Sequence, residues 1–175
     1  SLVAIGPSFG DQSVKEYGYY KPAPRASYSS DGSVEHQAAD GLKANPTSIT
    51  RSVRWAAIDD NYFAMALVPP TPVNSIRLMD DQQKVKNGEK EEVHHNISAA
   101  IPLLNGQVYH VYAGPKDLDT LAHVSQQFGL SQDGKGNLEY LVTYGWSFVT
   151  PIVKPIARFM LSALMFIYQW THNYG

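Results

Sequence analysis

Two histidines stand side by side at positions 94 and 95, directly after Glu91 and Glu92. Imidazoles and carboxylates are ligands for zinc and similar ions. The segment reads as a strand, however, and neighbours on a strand point to opposite faces. The two rings cannot easily share one ion, and a charged surface hairpin is the better reading. His110 sits among aromatics and reads as a packed histidine rather than a ligand. His95 and His110, on strands read as neighbours, are the candidates for an acid–base pair. No matching carboxylate is placed beside them by the sequence. Asp59-Asp60 reads most simply as a turn, whereas a glycosidase pair must sit about 5 to 9.5 Å apart across a cleft. Asp117 and Asp119 stand at a helix start, where carboxylates favour the helix dipole. Residues 129–136, GLSQDGKG, carry one lysine but follow a helix, so they read as an exposed loop and not a phosphate loop. Neither G-x-S-x-G nor H-E-x-x-H occurs. Every constellation has a structural reading, so the expectation is a protein without catalytic residues, bound metal or cofactor.

The totals narrow the class further. A chain of 175 residues allows one domain with a real core. Its formal charge of -2 lacks the footprint of a nucleic-acid binder. Absence of cysteine removes thiol catalysis, thiolate metal sites and disulfides. The opening SLVAIGPSFG has neither a basic n-region nor a long apolar run, so it does not read as a signal peptide. It reads as a strand over residues 2–5 entering a Gly-Pro turn. A chain that opens in mid-strand and stops on an apolar helix is expected to be a piece of something larger.

The elements that position these residues are mostly strands. Up to residue 52 short strand candidates alternate with turn signals at Gly10-Asp11, Pro22 to Pro24, Asp31-Gly32 and Asn45-Pro46. Part of residues 27–46 reads as a long, poorly ordered excursion. Residues 52–58 put Val53 and Trp55 on one side of an extended segment, and 62–68, YFAMALV, read as a buried central strand. Pro69, Pro70 and Pro72 end it. Residues 76–79 form another strand, followed by a solvated stretch over 80–92 with a hairpin tip at Asn87-Gly88. Residues 93–104 alternate, with Val93, His95, Ile97 and Ala99 on one face; Asn105-Gly106 turns the chain and 107–113 returns. Helical spacing begins only after Asp117, which reads as the N-cap, with Leu118, Leu121, Ala122, Ser125 and Phe128 on one face and Gly129 as the stop. LEYLVTY, 138–144, reads as strand-like. Strands first and helices last argue for a β-sandwich with helices at its C-terminal end.

The last stretch is the most apolar. On a helix, Arg158, Ser162, Gln169 and Asn173 make one narrow polar stripe, with His172 at its edge. Ile156, Phe159, Met160, Leu161, Leu164, Phe166, Ile167 and Trp170 cover the rest. The run falls short of the roughly 20 apolar residues that span a bilayer. Two readings remain at this level: a central core helix, or a helix lying along a membrane surface between Lys154, Arg158, Trp170 and Tyr174.

The order of motifs adds to this. A strand closing on YAGPKD is followed by a helix, LEYLVTYGW, a Lys-Pro pair, the apolar helix and NYG. In this order the segments resemble the end of the large periplasmic domain of the YidC family of bacterial membrane protein insertases. The matching positions are Gly114, Pro115 and Lys116, then Tyr144, Gly145 and Trp146, then Asn173, Tyr174 and Gly175. WAAIDDNYFAMALVP, 55–69, and GPSFG near the start are similar to further family segments. The match is loose before Trp55 and tighter after Val108, and 27–46 has no firm counterpart.

What the resemblance implies is a mainly β fold, part of a mutarotase-like β-supersandwich with C-terminal α-helices. Residues 1–145 would form the sandwich, with a short helix near 117–128, and 146–175 a helical segment. The front of the usual fold would be missing. In the family, insertion belongs to a transmembrane core outside this chain. The fragment would dock partners such as accessory subunits of the Sec translocon, serve nascent membrane proteins through the full-length protein, and lie on the periplasmic side of the inner membrane. The resemblance favours the interfacial helix, with Phe159, Leu164, Phe166, Ile167, Trp170 and Tyr174 at the lipid boundary. The alternative is a sugar-binding or mutarotase-like domain on the related sandwich.

Overall fold

The computed structural model describes residues 1–7, 24–42, 46–87, 90–130 and 134–143, together with 159, 160, 162, 163 and 166. The chain divides into two units, Ser1–Leu141 and Val142–Gly175.

Nine strands are found among the described residues: β1 Leu2–Ile5, β2 Arg25–Ser30, β3 Ser33–Ala38, β4 Thr47–Ile49, β5 Val53–Asp59, β6 Phe63–Val68, β7 Ile76–Asn87, β8 Lys90–Pro102 and β9 His110–Pro115. They form two antiparallel sheets, ordered β1-β8-β7-β4 and β3-β2-β5-β6-β9. Ala26, Tyr28, Val53, Ile58 and Leu67 of the second sheet join Ile76, Leu78, Ile97, Ala99 and Ile101 of the first in one buried apolar cluster. This is the β-sandwich that strands followed by helices suggest. Each sheet buries one face against the other, as half-apolar sheets must.

Poor order is expected over part of 27–46, but residues 27–38 are strands and their turn. β2 and β3 form a full hairpin, with Arg25 opposite Ala38 and Ser30 opposite Ser33. Asp31 and Gly32 turn it with φ of 51° and 78°, the positive-φ pair that a tight hairpin needs. Apolar alternation is weak here because β2 presents Ser27 and Ser29 on one face and Ala26 and Tyr28 on the other, all buried.

The expected shared side for Val53 and Trp55 is corrected by a bulge. Ser29 pairs with Trp55 and Ser30 with Val53, so Arg54 is skipped. The extra residue flips the alternation. Val53 therefore joins the core cluster with Ala56 and Ile58. Trp55, Ala57 and Asp59 lie on the opposite face, and all three are buried.

A second correction concerns β9. The chain does not return beside β8 after Asn105-Gly106. It crosses to the other sheet and pairs with β6, from Phe63 opposite Pro115 to Val68 opposite His110. Tyr109 braces the crossing: its hydroxyl accepts from Leu104 N at 2.7 Å and donates to Pro102 O at 2.8 Å. The β7–β8 pair closes as expected at Asn87 opposite Lys90. β6 is an interior strand of its sheet, between β5 and the edge strand β9, although Tyr62 and Phe63 at its entry are exposed.

Helix α1, Leu118–Gln127, begins at Asp117, whose side chain accepts from Thr120 N at 2.9 Å. Leu121, Val124 and Ser125 form its buried face, and Gly129 follows with φ 63°, the left-handed stop that glycine permits. The stretch read as strand-like is instead a 3-10 turn over Leu138–Leu141. Ser125 holds it: the hydroxyl donates to Glu139 Oε2 at 2.7 Å and accepts from Leu138 N at 3.1 Å. Of the stretch read as an exposed loop, Leu130 and Gly136 are buried, and the buried Trp55 Nε1 donates to Gly136 O at 2.7 Å. Gly136 thus lies on the outer face of the second sheet, where Trp55 points.

Candidate functional site

The outer face of β5 carries the densest polar cluster. Arg25 lies opposite Asp59 in the strand register, and its Nε donates to Asp59 Oδ2 at 2.8 Å. Lys116 Nζ reaches the same oxygen at 2.9 Å and also donates to Asp60 O. Ser27 Oγ donates to Asp59 Oδ1 at 2.8 Å. Exposure of the side chains is 19% for Arg25, 8% for Lys116 and 0% for Asp59. A carboxylate removed from water is tolerable only when charge and hydrogen bonds replace its hydration, and both oxygens of Asp59 are so supplied. Arg25 Nη2 adds a bond to Leu141 O at 2.6 Å, joining the sheet to the 3-10 turn.

The two aspartates of WAAIDDNY divide their work. Asp59 is the buried anion. Asp60 makes the expected turn, its Oδ1 accepting from the amides of Tyr62 and Phe63, each at 2.7 Å. The turn reading of the pair missed the role of Asp59. An acidic residue inside a run of apolar strand residues was the available signal, since such a carboxylate needs a cation.

Gly114, Pro115 and Lys116 also have separate tasks. A Cβ on Gly114 would stand 2.8 Å from the Tyr112 hydroxyl, so glycine lets that ring fold back. The hydroxyl donates to Pro115 O at 2.5 Å. Pro115 ends an edge strand, a place where its missing N–H costs little. The Lys116 amide donates to Tyr62 O at 2.7 Å, which directs the side chain into the Asp59 cluster. Tyr144, Gly145 and Trp146 lie outside the described residues.

His36 borders the cluster, 2.9 Å from Ser27 Oγ through Nδ1. The single hydroxyl hydrogen of Ser27 goes to Asp59, so Nδ1 of His36 is the donor. Burial, with the positive charge of Arg25 behind it, lowers the His36 pKa to about 4; Asp59 opposes this and Lys116 adds to it. The ring is neutral at pH 7.

The sugar-site pair is not assembled. His95 lies on β8 in one sheet and His110 on β9 in the other, which corrects the reading of neighbouring strands. His110 is stacked on Phe128, centroids 4.8 Å apart, and so ties β9 to the end of α1. His95 does meet a carboxylate that the sequence did not single out: its Nδ1 is 2.7 Å from Asp80 Oδ2. Asp80 is fully buried, in a stretch expected to be solvated, and Gln82 donates to the same oxygen at 3.1 Å. β7 continues its inward-facing row through Ile76, Leu78 and Asp80, so the pair sits at the margin of the core. His94 points to the opposite face from His95, as adjacent strand residues do. No group of three or more His, Cys, Asp or Glu side chains converges among the described residues.

Of the residues assigned to the lipid boundary, Phe159 and Phe166 are helical and 75% and 62% exposed. Leu164, Ile167, Trp170 and Tyr174 lie outside the described residues. No helix among the described residues is long and apolar enough to cross a membrane.

Two antiparallel sheets closed on one apolar core, with a buried ionic cluster on the outer face of the second that reaches the 3-10 turn, define a β-sandwich module. The family model for the YidC periplasmic domain matches residues 8–159, and the chain belongs to that family. Similar proteins include the membrane protein insertases YidC of Citrifermentans bemidjiense, 29% identical over 94% of this chain and 27% of the relative, and of Maridesulfovibrio salexigens, 29% identical over 89% and 25%. That of Geotalea daltonii is 28% identical over 100% of this chain and 29% of its own length. The chain therefore spans about a quarter of the length of the curated relatives it matches.

Proposed function

We propose that this chain is the periplasmic docking module of a bacterial membrane protein insertase, with a sandwich that meets partner proteins and a terminal helix that lies at the lipid boundary. The supporting observation is the family match joined to the apolar helix surface at its end. Phe159, Ala163 and Phe166 follow helical i, i+4, i+7 spacing and so share one face. Phe159, Met160 and Phe166 are more than half exposed. A helix with exposed aromatic and thioether side chains suits the boundary between headgroups and acyl chains. Leu164 and Ile167 would extend that surface, Trp170 and Tyr174 would anchor it, and Lys154 and Arg158 would meet headgroups.

In this reading the module has no chemistry of its own. Insertion belongs to the remainder of the protein, three quarters of which lies outside this chain in the relatives. The sandwich would dock accessory subunits of the Sec translocon and stand beside nascent membrane proteins on the periplasmic side of the inner membrane. Cross-linking from exposed sandwich positions of the full-length insertase, in membranes containing the translocon, tests the docking. Cross-links to an accessory subunit are the expected result; cross-links only to lipid or to the insertase itself would overturn it.

One observation favours the sugar-binding alternative: Asp80 orients the ring of His95. Asp80 itself is wholly buried, where it steadies a strand pair more readily than it reaches a sugar. A mutarotation assay separates the readings, since turnover lost in His95→Ala would establish the sugar site.

A further inference from the structure

The cluster around Asp59 is built in two unequal halves. Lys116 and Asp59 are almost wholly enclosed, and Lys116 spends its other contact on the Asp60 carbonyl. Separating them would leave two uncompensated charges in the interior. Arg25 is the more exposed cation, and it alone of the three reaches out of the sheet layer, from Asp59 to the carbonyl of Leu141. Leu141 is the last residue of the first unit. Its side chain and that of Leu138 are fully buried, but apolar contact is non-directional and does not by itself fix a carbonyl. The planar guanidinium does, because its donors diverge at set angles.

We propose that Arg25 is a positioning residue, a clasp seated on the Asp59–Lys116 pair that sets where the chain leaves the sandwich at Leu141. Lys116 and Asp59 form its fixed base. The Arg25–Leu141 bond is its releasable arm, since the outer edge of a partly exposed guanidinium can exchange a carbonyl for water at small cost. Its release loosens the end of the 3-10 turn, which Ser125 still holds at Leu138 and Glu139, while the sheets stay closed. This goes beyond the docking reading and does not depend on it.

Hydrogen exchange followed by mass spectrometry on the whole chain tests the clasp, comparing wild type with Arg25→Met and Arg25→Lys. Arg25→Met is expected to speed exchange of amides 138–143 by about tenfold or more, with β5 and β6 protected as in wild type. Arg25→Lys keeps a cation beside Asp59 but cannot fork to Leu141, so it should hold the wild-type melting temperature and still show fast exchange at 138–143. Equal acceleration in all strands, unchanged exchange at 138–143, or protection restored by Arg25→Lys would each overturn the proposal.

Discussion

Lys116 Nζ lies 2.9 Å from Asp59 Oδ2 across a separation of 57 residues in the chain. This contact ties the Gly-Pro-Lys segment to the Asp-Asp-Asn-Tyr turn, two motifs that look unrelated when read along the chain. Its removal has an asymmetric consequence. Asp59→Asn leaves Arg25 and Lys116 facing a neutral amide, and should cost about 3 to 5 kcal/mol. Lys116→Met leaves Asp59 still paired with Arg25 and Ser27, and should cost less. Denaturant unfolding of both variants gives the order, and a larger loss in Lys116→Met would contradict this account.

His36 makes stability depend on acidity. Its pKa falls from 6.5 unfolded to about 4 folded because burial and Arg25 disfavour the charged ring. Below pH 6.5 the unfolded chain takes up a proton that the folded chain refuses until about pH 4. Stability from this group is therefore full above 6.5, declines as pH falls between 6.5 and 4, and changes no further below that. His36→Gln should flatten that part of a melting-temperature profile, leaving the slope due to the carboxylates.

Two glycines in the loop under Trp55 should respond differently to alanine. Gly134 has φ 72° with nothing near its would-be Cβ, so Gly134→Ala costs only the left-handed backbone, about 1 kcal/mol. Gly136 has φ 67°, and a Cβ there would lie 2.7 Å from Ser29 Oγ and 3.3 Å from Gly32 C. Gly136→Ala should be the more damaging of the two by thermal unfolding, and should blue-shift or otherwise alter the Trp55 fluorescence, because its indole bonds to that residue's carbonyl.

Asp117→Ala removes the helix cap on the Thr120 amide. A loss of about 1 kcal/mol is expected, and Asp117→Asn should recover most of it. Equal losses in both variants would mean that charge at the helix start, rather than the cap bond, carries the effect.

Local signals were readable where the physics is local. The Asp117 cap, the Gly129 stop, the proline-ended β6 and the pairing of β7 with β8 each follow from a few adjacent residues. Sheet membership was not readable, because β9 has the same alternation whether it pairs with β8 or crosses to β6. The bulge at Arg54 could not be seen either, since it depends on the register of β2 opposite. Asp59 looked like a turn residue until the fold brought Arg25 and Lys116 to it. The Asp31-Gly32 turn was readable, but β2 was hard to delimit, because a strand buried on both faces under a close cover uses serine and alanine, not a clear apolar stripe.

In the proposed function the terminal helix of this insertase-family module rests on lipid. Flotation with anionic phospholipid vesicles tests it most directly, comparing wild type with Phe166→Glu and Trp170→Glu. Wild type should float with the vesicles, while each variant stays largely in the soluble fraction with its sandwich still folded. Vesicle binding that is absent in wild type, or unchanged by both substitutions, would contradict the account.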